Sequence, residues 1–98
     1  MRKRLVILGS SGSIGESVLR VVTALPDRFQ VVGLAVRSNG ARLLEQMRQF
    51  GVSRAAVVDR EAAAKLAASV GRGAQVGAGI EGLEELAALP EADLVVCA

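Results

Sequence analysis

Histidine, tryptophan and tyrosine are absent from this chain of 98 residues, and cysteine occurs once, as Cys97. Without histidine and with one thiol, a zinc site of the usual Cys/His kind has no ligands to draw on. The side chain most often used as a general base at neutral pH is missing as well. A single cysteine rules out an internal disulfide and fits a reducing compartment, so a cytoplasmic setting is expected. The only aromatic residues, Phe29 and Phe50, cannot make a base-stacking platform for nucleic acid. Charge is nearly balanced, with 12 Lys+Arg against 10 Asp+Glu and a net +2. The one basic run, Arg2-Lys3-Arg4, reads as a solvated strand start rather than a nucleic-acid patch. No apolar run is long enough to cross a membrane as a helix. The first strand begins almost at Met1, so no signal or transit peptide is expected. Neither a membrane nor a nucleic acid is expected as a partner.

What the chain does have is aliphatic residues and glycine. Hydrophobic residues make up 51%, and there are 11 glycines. That is enough apolar material for one small domain with its own core. The informative stretch is at the front. Leu5 to Leu8 is an unbroken apolar run, followed by Gly9, Gly12 and Gly15, three residues apart. Helical periodicity then begins, with Ile14, Val18, Val21, Val22 and Leu25 expected on one inward face.

Strand, glycine turn and helix in that order form the phosphate-gripping start of a dinucleotide-binding βαβ unit. Gly9 permits the tight turn, Gly12 lets a pyrophosphate approach the main chain, and Gly15 lets the helix pack near the strand. Free N–H groups of the first helical turn would face the anion, and the helix dipole favours negative charge there. Ser10, Ser11 and Ser13 add hydroxyl donors. The alternative is a glycine-rich strand-to-helix turn with no ligand.

Strands and helices alternate along the rest of the chain. Helical patterns are expected over 13–24, 41–50, 60–70 and 81–89, with Arg37-Ser38-Asn39-Gly40 as a turn. Strands are expected over 3–8, 30–36, 54–58, around 74–76, and over 93–97, the last of these buried. Pro26 and Pro90 stop helices, Gly51 terminates one, and Asp59 is an N-cap. Such alternation predicts an α/β domain: a Rossmann-like, doubly wound, mostly parallel sheet with strand one central and a ligand at the carboxyl ends of strands one and two. Ending on an apolar strand with no covering helix, residues 1–98 are expected to be the N-terminal part of a domain truncated at its C-terminal end.

Arg37, Ser38 and Asn39 follow strand two, with Arg37 22 residues beyond Gly15. NAD-binding domains usually place an acid about 20 residues on to hold the ribose hydroxyls. Here no acid is present, and Arg37 can pair with a 2′-phosphate while Ser38 and Asn39 donate to it. The alternative is that Asn39 caps the next helix and Arg37 is solvated. Asp59-Arg60-Glu61 has metal-like spacing but falls at a helix start, where acids favour the dipole, and is read as structural. Cys97 is read as a structural thiol. No catalytic or metal-ligating residue is assigned.

Three segments carry a family resemblance. Ile-Leu-Gly-Ser-Ser-Gly-Ser-Ile-Gly-Glu-Ser (7–17), Pro-Asp-Arg-Phe-Gln-Val-Val-Gly-Leu-Ala (26–35) and Ser-Asn-Gly-Ala-Arg-Leu-Leu-Glu-Gln (38–46) resemble the N-terminus of the 1-deoxy-D-xylulose 5-phosphate reductoisomerases. Ser11 stands where that family usually has Thr, which keeps the hydroxyl. Arg37-Ser38 moves the usual positive charge by one position. The resemblance implies an NADPH-dependent oxidoreductase and isomerase of non-mevalonate isoprenoid biosynthesis. Such an enzyme rearranges and reduces 1-deoxy-D-xylulose 5-phosphate to 2-C-methyl-D-erythritol 4-phosphate with Mg or Mn, and is expected to be a homodimer when full length. It further implies that Ser11, Gly12, Ser13 and Ile14 contact cofactor phosphates and that Arg37, Ser38 and Asn39 contact the adenosine end. Metal and substrate ligands would lie outside these residues, leaving this chain alone inactive. The alternatives are another NADP-dependent dehydrogenase, of homoserine or aspartate-semialdehyde type, or a non-catalytic nucleotide-sensing module.

Overall fold

Leu5, Val6 and Ile7 are buried on both faces of the first strand, which is what an unbroken apolar run dictates for a parallel strand covered above and below. A computed structural model describes residues 1–98 and shows nine elements. In chain order they are β1 (Lys3–Leu8), α1 (Ser13–Ala24), β2 (Phe29–Val36), α2 (Gly40–Phe50), β3 (Arg54–Val57), α3 (Arg60–Ser69), β4 (Gln75–Ala78), α4 (Gly79–Ala87) and β5 (Leu94–Cys97). No helix is long and apolar enough to cross a membrane.

The five strands form one sheet in the order β4-β3-β2-β1-β5, with every pair parallel. β1 is paired on both flanks, although the middle strand is β2. Three connections step in one direction from β1 to β4, and the fourth returns past β1 to place β5. Right-handed crossovers then put α1, α2 and α3 on one face and α4 on the other. The core divides in that way. Leu5 and Ile7 pack with Leu19, Val22, Leu43, Met47 and Leu66, whereas Val6 packs with Ala35, Ala56, Leu86 and Leu89. The pairing of β1 with β2 shifts after Leu5, leaving Val32 as an extra residue beside Gly33. A Cβ on Gly33 would lie 2.8 Å from a methyl of Leu86, so glycine there admits α4 close to the sheet.

Several expectations need correction. α1 turns inward on Gly15, Leu19 and Val22, with Val18 half-buried against the core; of the expected row, Val18 and Val22 face inward and Ile14, Val21 and Leu25 do not. Ile14 is 61% exposed, and Val21 and Leu25 are exposed as well. Gly15 decides this, because the helix can approach the Gly9–Ser10 turn closely only along its glycine face. The final strand is not buried: β5 pairs only with β1, and Leu94, Val95 and Cys97 are exposed. α4 lies mainly over β3 and β4, with lesser contact to β1 and β2. α4 also begins at Gly79, two residues earlier than expected, and β4 runs to Ala78. Gly79 adopts φ +72°, a left-handed conformation that turns strand directly into helix.

Candidate functional site

β1 delivers the chain to Gly9, whose φ of +90° turns it sharply away from the sheet. The N–H groups of Gly9 and Ser10 both donate to the carbonyl of Ala35, at 2.8 and 2.9 Å, which fastens the turn to the end of β2. Gly12 N–H donates back to Gly9 O at 3.2 Å and closes the loop. A Cβ on Gly15 would clash with the Gly9 carbonyl and stand 2.7 Å from Ser10 Cα, so glycine is obligatory for this approach. Gly12 is different. A Cβ there would meet only Gly9 O, at an ordinary 3.6 Å, and its φ is −78°. The protein's own packing does not require Gly12 to be glycine.

The turn leaves donors unspent. The N–H groups of Ser11, Ser13, Ile14 and Gly15 make no hydrogen bond within the protein, and no side chain caps α1. By contrast, Asn39 Oδ1 caps α2 by accepting from Arg42 N–H, and Asp59 caps α3 by accepting from Ala62 N–H. The hydroxyls of Ser11 and Ser13 are also without protein partners. Partial positive charge at this uncapped end suits an anion. Glu16 in the same turn would oppose one, but Arg42 binds it through two hydrogen bonds of 2.6 and 2.7 Å. The Arg42 guanidinium holds the Glu16 carboxyl below its ordinary pKa and offsets its charge.

Ser10 is a correction. Its hydroxyl is completely buried and donates to Gln46 Oε1 at 2.7 Å, so it has no proton to offer a ligand. Of the three serines, only Ser11 and Ser13 remain as hydroxyl donors. Gln46 and the Glu16–Arg42 pair were not singled out from the sequence. The available signal was a glutamine at an inward position of an otherwise apolar helical stripe.

The second loop lies at the carboxyl end of β2. Arg37, Ser38 and Asn39 are exposed, and Arg37 has no ion-pair partner. The Arg37 carbonyl accepts from Asp59 N–H at 2.8 Å, so the main chain is held while the guanidinium stays free. Asn39 spends its oxygen on the cap and keeps its amide donors. Beside this loop a groove of about 470 Å³ runs between α2 and α3, lined by Ser38, Asn39, Leu44, Asp59, Lys65 and Leu66. The Asp59-x-Glu61 spacing is structural, with Asp59 on its cap and Glu61 paired with Lys65 at 3.8 Å. No three His, Cys, Asp or Glu side chains come together closely enough to hold a metal ion. Both loops therefore offer anion-binding groups at the carboxyl end of the sheet, and neither offers a group for proton transfer.

Comparison with known proteins decides the family. The sequence profile of the 1-deoxy-D-xylulose 5-phosphate reductoisomerases matches residues 5–98. The chain belongs to the 1-deoxy-D-xylulose 5-phosphate reductoisomerase family. It is 46% identical over 99 residues to the reductoisomerase of Nitrosomonas eutropha, covering 98% of this chain and 24% of that protein. Identity is likewise 46% over 96 residues to the Anaeromyxobacter sp. (strain K) enzyme, covering 98% and 25%. The solved Zymomonas mobilis reductoisomerase in complex with NADPH superposes with a TM-score of 0.87 at 28% identity, covering 97% of this chain and 25% of that one. A reductoisomerase structure in complex with magnesium gives 0.91 at 30% identity, covering 97% and 24%. The chain spans about a quarter of the length of these reductoisomerases. Family membership decides against the homoserine and aspartate-semialdehyde types.

Proposed function

We propose that this chain binds NADPH and is the N-terminal part of the cofactor-holding domain of a 1-deoxy-D-xylulose 5-phosphate reductoisomerase. The observation that carries the reading is the uncapped start of α1: four free N–H groups behind a glycine that the fold itself does not need. The pyrophosphate would lie over Gly9, Ser11, Gly12, Ser13 and Ile14. The 2′-phosphate would meet Arg37 and the amide and hydroxyl donors of Asn39 and Ser38. The groove between α2 and α3 is placed to receive the adenine.

When bound, NADPH supplies the hydride for the reduction. This chain's residues bind and orient it. The whole enzyme would convert 1-deoxy-D-xylulose 5-phosphate to 2-C-methyl-D-erythritol 4-phosphate with a divalent Mg or Mn ion, as a cytoplasmic homodimer. One related structure holds NADPH, fosmidomycin and magnesium together, which supports a small-molecule substrate beside cofactor and metal. No residue here fits the metal, so its ligands and the acid-base groups would come from sequence other than these 98 residues. The test is an assay of the purified 98-residue chain with NADPH, the sugar phosphate and Mn. Saturable NADPH binding without substrate-dependent oxidation is expected. Substrate-dependent oxidation would contradict the assignment of this chain to cofactor binding alone.

A further inference from the structure

Gln46 is fully buried, and both of its polar atoms act on one residue. Its Oε1 accepts from the Ser10 hydroxyl at 2.7 Å, and its Nε2 donates to the Ser10 carbonyl at 2.9 Å. Ser10 N–H is itself fastened to Ala35 O. Every hydrogen-bonding group of residue 10 is therefore held, in the middle of the glycine turn. An amide buried in an aliphatic layer adds little net stability over a well-packed apolar side chain, since its hydrogen bonds mainly replace those made to water. What the pair does supply is direction. Gln46 sits on α2, and the same helix begins at the Asn39 cap beside Arg37 and Ser38. Arg42, one turn before Gln46, ties that helix to the first turn of α1 through Glu16.

We propose that Gln46 is a positioning residue that locks the glycine turn to α2, so that this turn and the Arg37–Asn39 loop meet the two phosphate-bearing parts of one dinucleotide. The inference rests on the NADPH reading and adds which buried side chain sets the spacing of the two loops. Its signature is selective. A dinucleotide spanning both loops feels the lock, whereas adenosine 2′-monophosphate, which engages only the second loop, does not.

The experiment titrates NADP⁺ and adenosine 2′-monophosphate separately into the 98-residue wild type, Gln46→Met, Gln46→Glu and Ser10→Ala. For Gln46→Met, NADP⁺ affinity falls by about tenfold or more, while adenosine 2′-monophosphate affinity stays within about twofold. In Gln46→Glu the protonated acid reproduces the donor–acceptor pair, whereas the ionised form does not and also faces the Glu16 carboxylate beside Arg42. NADP⁺ affinity relative to wild type at the same pH therefore recovers as pH falls. Ser10→Ala keeps the carbonyl grip and loses about 2- to 10-fold for NADP⁺ only. It carries the comparison if Gln46→Met does not fold. Parallel loss for both ligands, or unchanged NADP⁺ affinity in the variants, overturns the positioning role and leaves the NADPH reading standing. A wild type that binds neither ligand overturns both.

Discussion

Arg42 reaches from the first turn of α2 to Glu16 in the first turn of α1, and the two share parallel hydrogen bonds of 2.6 and 2.7 Å. The pair joins the helices that carry the two candidate phosphate-binding loops. It also keeps a carboxylate near the candidate anion site without leaving its charge uncompensated.

That pairing sets a pH dependence. Arg42 holds the Glu16 pKa below its ordinary 4.5, so its contribution to stability is complete above that value and is lost as pH falls through the depressed one. Asp93 beside Arg4 and Glu81 beside Arg60 act in the same sense, so the wild type weakens in acid for several reasons. Glu16→Gln isolates one of them. In thermal melts, its deficit against wild type should be present at neutral pH and shrink as pH drops below 4.5. A deficit independent of pH would mean that Glu16 acts through packing rather than charge.

Two glycines of one turn should respond unequally to a methyl group. Gly15→Ala drives a Cβ into the main chain of Gly9 and Ser10, which cannot move aside cheaply. It should cost about 1–3 kcal/mol or more in urea unfolding, the usual range for overpacking. Gly12→Ala meets only ordinary contact and should cost about 1 kcal/mol or less, the effect of a poorer N-cap. Equal costs would mean that the close approach of α1 to the turn is misplaced.

Cofactor preference should follow Arg37. One charge-assisted hydrogen bond to a 2′-phosphate contributes about 1.5–3 kcal/mol, so NADPH should bind at least about tenfold more tightly than NADH, less so as salt is raised. Arg37→Asp should reduce or reverse the preference, because a carboxylate repels the phosphate and accepts from ribose hydroxyls. Equal wild-type affinities for the two cofactors in calorimetry would leave Arg37 a solvated side chain and Asn39 only a cap.

The elements were legible because their signals are local. The Leu5–Leu8 run, the glycine spacing, the Asp59 cap and the Gly51 stop, which sits at φ +65°, are each set by a few neighbouring residues. What escaped depended on distant partners. The apolar residues of α1 could be placed on a helix but only partly oriented: Val18 and Val22 turn to the core while Ile14, Val21 and Leu25 face out, because the inward face depends on where Gly15 meets the Gly9–Ser10 turn. Likewise, Leu94-Val95-Val96 reads the same whether or not a helix covers it. Ser10 looked like its neighbours Ser11 and Ser13 until Gln46, 36 residues away, claimed its hydroxyl.

The outward row of α1 has a consequence in solution. Ile14 and Val21, together with Leu94 and Val95 on the edge strand, present apolar surface to water. The chain should self-associate at moderate concentration in sedimentation experiments. Val21→Ser combined with Leu94→Lys should reduce this while changing stability by less than about 1 kcal/mol, as expected for exposed positions. A strictly monomeric wild type across a wide concentration series would contradict the prediction.

The central claim is that the glycine turn grips the cofactor through its main chain. Calorimetric titration of NADPH into wild type and Gly12→Val, with thermal melts of both, tests it most directly. A Cβ at Gly12 meets only the Gly9 carbonyl, at an ordinary 3.6 Å, and the branched side chain would occupy the space proposed for the pyrophosphate. The account predicts saturable one-to-one binding to wild type, and loss of binding in Gly12→Val with helical content preserved. Unchanged NADPH affinity in the variant, or no binding to the wild type, would contradict it.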